Sequence, residues 1–190
     1  MLFVLLAVNL GISWLNCYVL GGMWAESRAL GGFSRVLAWC GATQSAIGFS
    51  SVIGVAVGFV LHSMGYLPAK VATGAASLWY LLIIIPALGT GLVLTIHSWI
   101  VAYRERSLLN MGTAAWNTYA QLQNMYGAID GIGEALGGVG KLFDGEDSDG
   151  APVLLAILLV AIALGGGVIL TALLIRKYAG RLPVPARAAA

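Results

Sequence analysis

The chain has 190 residues, 59% of them hydrophobic and 9% charged, with a formal charge of +2 and a mean hydropathy of +0.90. A soluble domain carries about 25% charged residues, so so little charge excludes a water-exposed globule and implies an all-α integral membrane protein. No basic cluster offers the phosphate contacts nucleic acid needs, so no nucleic-acid partner is expected.

The first apolar run, residues 2–20, lacks a basic leader and a small-residue cleavage site, so it reads as a retained first span. Asn9, Ser13 and Asn16 fall on one helical face, which should point at other helices rather than lipid. Residues 21–35 read as a short connector carrying Glu26, Arg28 and Arg35, with Trp24 as an interfacial anchor.

The second span, 36–61, is longer than the roughly 20 residues a bilayer requires. Small side chains recur there every fourth residue: Ser34, Ala38, Ala42, Ala46, Ser50, Gly54 and Gly58. Residues i and i+4 lie one above the other on a helix, so this strip invites close approach by another helix. Inside a bilayer such approach is a main source of association. The strip ends in a literal GxxxG at Gly54 and Gly58, and Thr43, Gln44 and Ser45 give the span a polar turn.

The third span, 75–103, is framed by Trp79 and Tyr80 at one end and Trp99 and Tyr103 at the other. That separation is about 30 Å of helix, the thickness of the hydrocarbon core. Pro86 lies between them and should kink the helix. These three spans form a membrane region over residues 1–103.

Residues 104–150 form the longest stretch without a span. Leu108, Met111, Ala115, Thr118, Leu122, Met125, Ile129, Ile132, Leu136, Val139 and Phe143 alternate three and four apart, the a/d positions of successive heptads. An amphipathic helix outside or on the membrane is expected, with this stripe as its partner-contacting face. The flanking positions are unusual. Tyr119, Tyr126, Ala128, Ala135 and Leu142 stand where a solvated coiled coil carries charges. Beyond Gly127 the helix becomes glycine-rich, at about 1 kcal/mol per glycine relative to Ala. Residues 126–134 (YGAIDGIGE) resemble the glycine-rich amphipathic fusion peptides of enveloped viruses. That resemblance implies membrane remodelling through residues 126–143. The acidic run 144–150 (DGEDSDG) reads as a solvated linker, because the spacing of an EF-hand is missing.

The fourth span, 151–176, starts with a favourably placed Pro152 and carries Gly165, Gly166 and Gly167 at mid-length, a second site for close packing. Residues 177–190 are a short basic Pro/Ala tail. Four spans put both termini on one side. Arg176 and Lys177 then argue for cytoplasmic termini and an external 104–150 segment, although Lys and Arg divide five and five.

The sequence holds no GxSxG, HExxH, Walker A or dinucleotide-binding fingerprint. Cys17 and Cys40 form no metal-binding spacing, and neither a metal nor another cofactor is expected. The expected role is a non-enzymatic structural or assembly subunit, homo-oligomeric or part of a larger membrane complex or membrane-containing particle such as a viral envelope. An oligomeric pore lined by Asn9, Asn16 and Gln44 is the alternative.

Overall fold

The computed structural model describes residues 2–30, 32–143 and 150–179. These residues form five helices: α1 (Leu2–Leu30), α2 (Gly32–Ser63), α3 (Ala69–Glu105), α4 (Leu108–Phe143) and α5 (Ala151–Tyr178). Three of them, α2, α3 and α5, are long and apolar enough to cross a membrane, and a shorter apolar stretch, Leu6–Gly22, lies within α1. Their length and composition mark a membrane-embedded helical chain. The acidic run 144–149 and the tail from residue 180 lie outside the described residues.

The expected connector at 21–35 is helical on both sides of its midpoint. α1 continues to Leu30, and α2 starts at Gly32, whose φ of +57° is a conformation that suits glycine. The reversal is tight because α1 and α2 pack antiparallel, Leu20 against Gly41 and Ser13 against Gly48. α2 ends at a second left-handed glycine, Gly65, with the amide of Tyr66 donating to the Leu61 carbonyl. The turn between α3 and α4 uses Arg106, at φ 46°, whose amide donates back to the Ala102 carbonyl. The Ser107 hydroxyl then accepts the Asn110 amide at 3.1 Å and caps α4.

α4 does not stand apart from the spans. It turns back on α3 and follows it along almost its whole length. Trp99 meets Thr118, Gln121 reaches Leu88, Tyr80 reaches Gly127, and Leu142 fits against Gly74. Helices adjacent in the chain therefore alternate in direction. The α1–α2 reversal, the α3–α4 turn and the C-terminal end of α5 share one end of the bundle: Gly21 abuts Tyr178, and Phe33 stacks edge-on against His97. The other end gathers Leu67, Val71, Leu142, Ala156 and Val160 into one apolar cluster.

Cys17 is buried with Leu20, Phe49 and Ile175 in a second cluster near the first end. Cys17 and Cys40 are both buried free thiols.

Candidate functional site

Three features have functional potential: a cavity, a polar node between helices, and the outward side of α4.

The cavity follows from the way α2 uses its small residues. Near mid-length the strip works as a seam. A methyl group added to Gly167 of α5 would lie 2.8 Å from the Ser50 amide nitrogen and would also meet the Ala46 carbonyl. Ala38 is fully buried, and Ala42 packs against the Cys17–Phe49 cluster. Ser34, near the start of α2, is half-buried. Further along, the GxxxG pair is not a tight seam. The added methyl at Gly54 would touch Ala163 at an ordinary 3.4 Å, and at Gly58 only Leu67 comes within 4.0 Å. Both glycines instead border a cavity of about 570 Å³ between α2, α3 and α5. Its walls are almost wholly apolar, and several of the few polar groups are tied down. The Trp79 indole donates to the Ser50 hydroxyl at 3.0 Å, and His62 Nδ1 lies 2.9 Å from the Leu67 carbonyl. Of the three glycines in α5, only Gly167 is in close backbone contact. Gly166 faces the end of Ile53, and Gly165 has no neighbour within 4 Å.

The polar node surrounds Pro86, through which α3 runs unbroken. Gln44 of α2 donates through Nε2 to the Ala87 carbonyl at 2.9 Å and to the Thr90 hydroxyl at 2.7 Å. Thr90 in turn donates to the Pro86 carbonyl. From the opposite side, Gln121 of α4 donates to the Leu88 carbonyl at 3.0 Å. Its Oε1, in a side chain that is only 7% exposed, has no hydrogen-bond partner and lies over Gly91. The other expected pore residues do not join this node. Asn9 and Ser13 are turned onto Gly48 of α2, and Asn16 is exposed on α1.

Trp79, Tyr80 and Trp99 of α3 have polar partners on neighbouring helices. Trp79 bonds to α2, the Tyr80 hydroxyl donates to the Gly127 carbonyl of α4, and the Trp99 indole donates to the Thr118 hydroxyl at 2.9 Å. Thr118, the one polar residue of the heptad stripe, therefore has a defined partner.

α4 touches α3 through a face other than that stripe. Its buried residues are Ala114, Gln121, Ala128, Ala135 and Leu142, a column spaced every seventh residue, with Gly138 beside it. Small side chains bring the helices close, and large ones from α3 enter the gaps. The Tyr80 ring lies over Gly131, and Ser77 faces Gly138. The stripe expected to contact a partner is left outside. Leu108 is 89% exposed and Ile129 75%. Met111, Leu122, Met125, Ile132, Leu136 and Phe143 are also exposed, and Val139 is half-buried at the edge. The reason is steric: an Ala and Gly face allows closer backbone approach than one built from Leu, Ile and Met.

Asp130 and Glu134 are also exposed, on a flank of α4 away from that stripe. Tyr80, which contacts Gly127 and Gly131, sets their place along α3. The structure thus brings two carboxylates alongside a candidate span. Sequence reasoning missed this because it placed residues 104–150 away from the spans. The available signal was the row Ala128, Ala135 and Leu142, seven apart. Comparison with protein-family models, with curated proteins and with solved structures found no match to this chain.

Proposed function

We propose that the chain is a non-enzymatic structural subunit of a larger membrane assembly and that α4 contacts a second copy. The observation that carries this reading is the exposed apolar row of α4 at heptad spacing. A row of Leu, Met and Ile runs from Leu108 to Phe143, too apolar for water. A second copy offering the same row would cover it. The heptad spacing suits another helix with the same repeat.

The test is association in a membrane. Met125→Cys and Ile129→Cys, each in a background with Cys17 and Cys40 replaced by Ala, should give cross-linked dimers or higher species on oxidation. The intact chain should run in mild detergent at a multiple of its 19.7 kDa mass. A monomeric mass together with no cross-linking at either position overturns the proposal.

An oligomeric pore is the second reading. Asp130 and Glu134, brought between copies, would supply the charged lining that the inward-turned Asn9 and Gln44 do not. Cation-selective conductance in planar bilayers, lost in Asp130→Asn with Glu134→Gln, is its signature; a silent oligomer removes it. Fusion through residues 126–143 would require that segment to leave α3, where Tyr80, Ser77 and Gly74 engage it. Lipid mixing by a peptide of these residues tests that reading.

A further inference from the structure

We propose that α4 is itself a membrane-crossing helix, so that the chain crosses the bilayer five times and its two ends lie on opposite sides, the C-terminal end of α5 in the cytoplasm. Three observations point there.

The first is geometric. α4 is antiparallel to α3 from the Trp99–Thr118 contact to the Gly74–Leu142 contact. α3 is one of the three helices long and apolar enough to cross a membrane. A helix lying along it over that length occupies the same depth.

The second is length. Residues 107–129 contain no Asp, Glu, Lys or Arg. As helix this segment measures about 33 Å, enough for the hydrocarbon core. It escapes recognition by hydropathy because it carries Asn110, Asn117, Gln121, Gln123 and Asn124. One of these side chains is used toward α3: Gln121 donates to the Leu88 carbonyl.

The third is charge. With α4 crossing, Arg28, Arg35, Arg104, Arg106, Arg176 and Lys177 lie toward one end of the bundle, and Lys70 and Lys141 toward the other. Arg181 and Arg187 lie outside the described residues. A four-span arrangement divides the basic residues of the whole sequence evenly, whereas the five-helix arrangement gathers most of them at one end. An excess of Lys and Arg marks the cytoplasmic side, and acidic residues contribute little. Asp130 and Glu134 are the acidic residues nearest the mid-depth of α4. They lie toward the Lys70 end, on the side where Lys141 also lies.

Single cysteines at the turns test this in intact cells, in the full chain with Cys17 and Cys40 replaced by Ala. Met64→Cys and Gly150→Cys should react with a membrane-impermeant maleimide added outside. Ser107→Cys and Ala179→Cys should react only after permeabilisation. Ser107 reacting together with Gly150, and opposite to Met64, overturns the fifth crossing. Reaction of Ser107 and Ala179 from outside, with Met64 and Gly150 protected, overturns the cytoplasmic assignment. A reporter enzyme fused after residue 190, active only in the cytoplasm, gives an independent readout that no cysteine substitution affects: activity is expected, and its loss in a stably inserted fusion overturns the orientation. The test does not depend on self-association, so its failure and that of the assembly proposal are distinguishable.

Discussion

In the α2–α5 pair glycine brings backbone against backbone, whereas in the α3–α4 pair glycines receive side chains from the facing helix. Gly167 lies against the Ala46 carbonyl and the Ser50 amide, with nothing between that can yield. Gly74 holds Leu142, Gly131 holds the Tyr80 ring and Gly138 holds Ser77. The first arrangement demands apolar helices and few polar groups, and α5 has an almost unbroken apolar surface. The second tolerates a polar helix, because hydrogen bonds from Tyr80, Thr95, Trp99 and Gln121 fasten α4 at intervals. A helix too polar to enter a bilayer by itself can still be held beside one that is apolar enough.

The comparison breaks most sharply at Gly167. Gly167→Leu should disrupt the α2–α5 contact and cost about 3 kcal/mol or more, since the obstruction is backbone rather than a flexible side chain. Gly165→Ala and Gly58→Ala, at positions with open space or only a distant neighbour, should be neutral or stabilising by about 0.5–1 kcal/mol through helix propensity. Thermal or denaturant unfolding in detergent, followed by circular dichroism, measures all three. Equal behaviour of Gly167 and Gly165 would show that the close approach is not what holds α5.

Next in size is the difference between the two sides of α4. Leu142 is 6% exposed and fills the space at Gly74, so Leu142→Ala should cost about 2 kcal/mol in the same assay. Ile129 is 75% exposed, and Ile129→Ala should leave the stability of the single chain within about 0.5 kcal/mol. If α4 contacts a second copy, the order reverses in a cross-linking assay, where Ile129→Ala weakens dimer formation more than its effect on stability accounts for.

At Gln121 the sign of the change is the prediction. The side chain makes one hydrogen bond to α3 and leaves a buried Oε1 without a partner. A bond of this kind inside a membrane protein contributes about 0.6 kcal/mol, while an unsatisfied buried acceptor costs about 1–3 kcal/mol. Gln121→Met, similar in shape, should therefore stabilise the chain by about 1 kcal/mol. A loss of stability would show that Oε1 has a partner in the membrane, such as a bound water.

Much of the helical content was legible from hydropathy and aromatic placement. The boundaries moved outward because Glu26, Arg28 and Arg104 remain in helix beyond the apolar core. The position of α4 was not legible. Leu, Ile and Met three and four apart look like a seam because in water the largest apolar residues are the ones buried. Beside a membrane helix that criterion fails, since lipid is as apolar as Leu and closeness of approach decides. Ala128, Ala135 and Leu142, which stand out as irregular coiled-coil flanks, are the buried column. The strip on α2 was legible only in part. Spacing identifies Ala46 and Ser50 as a landing surface, but it does not reveal that Gly54 and Gly58 border a cavity, because that depends on the divergence of α3 and α5 around them.

The smallest expected effect separates an interfacial anchor from a helix fastener. A tryptophan near the end of a span usually holds its indole N–H at the headgroups. Trp99 is 47% exposed, yet its N–H donates to Thr118 on α4. Trp99→Phe keeps most of the ring and removes that donor, and Thr118→Val removes the acceptor while keeping the side-chain shape. If the hydrogen bond fastens α4, each substitution should cost about 0.6 kcal/mol, and the double variant should cost little more than either alone. If Trp99 acts through the headgroups, Thr118→Val should leave its contribution intact and the two effects should add. The double-mutant cycle reads a term that neither single substitution isolates. A coupling energy near zero would leave the Thr95–Asn117 hydrogen bond as the first fixed point after the turn.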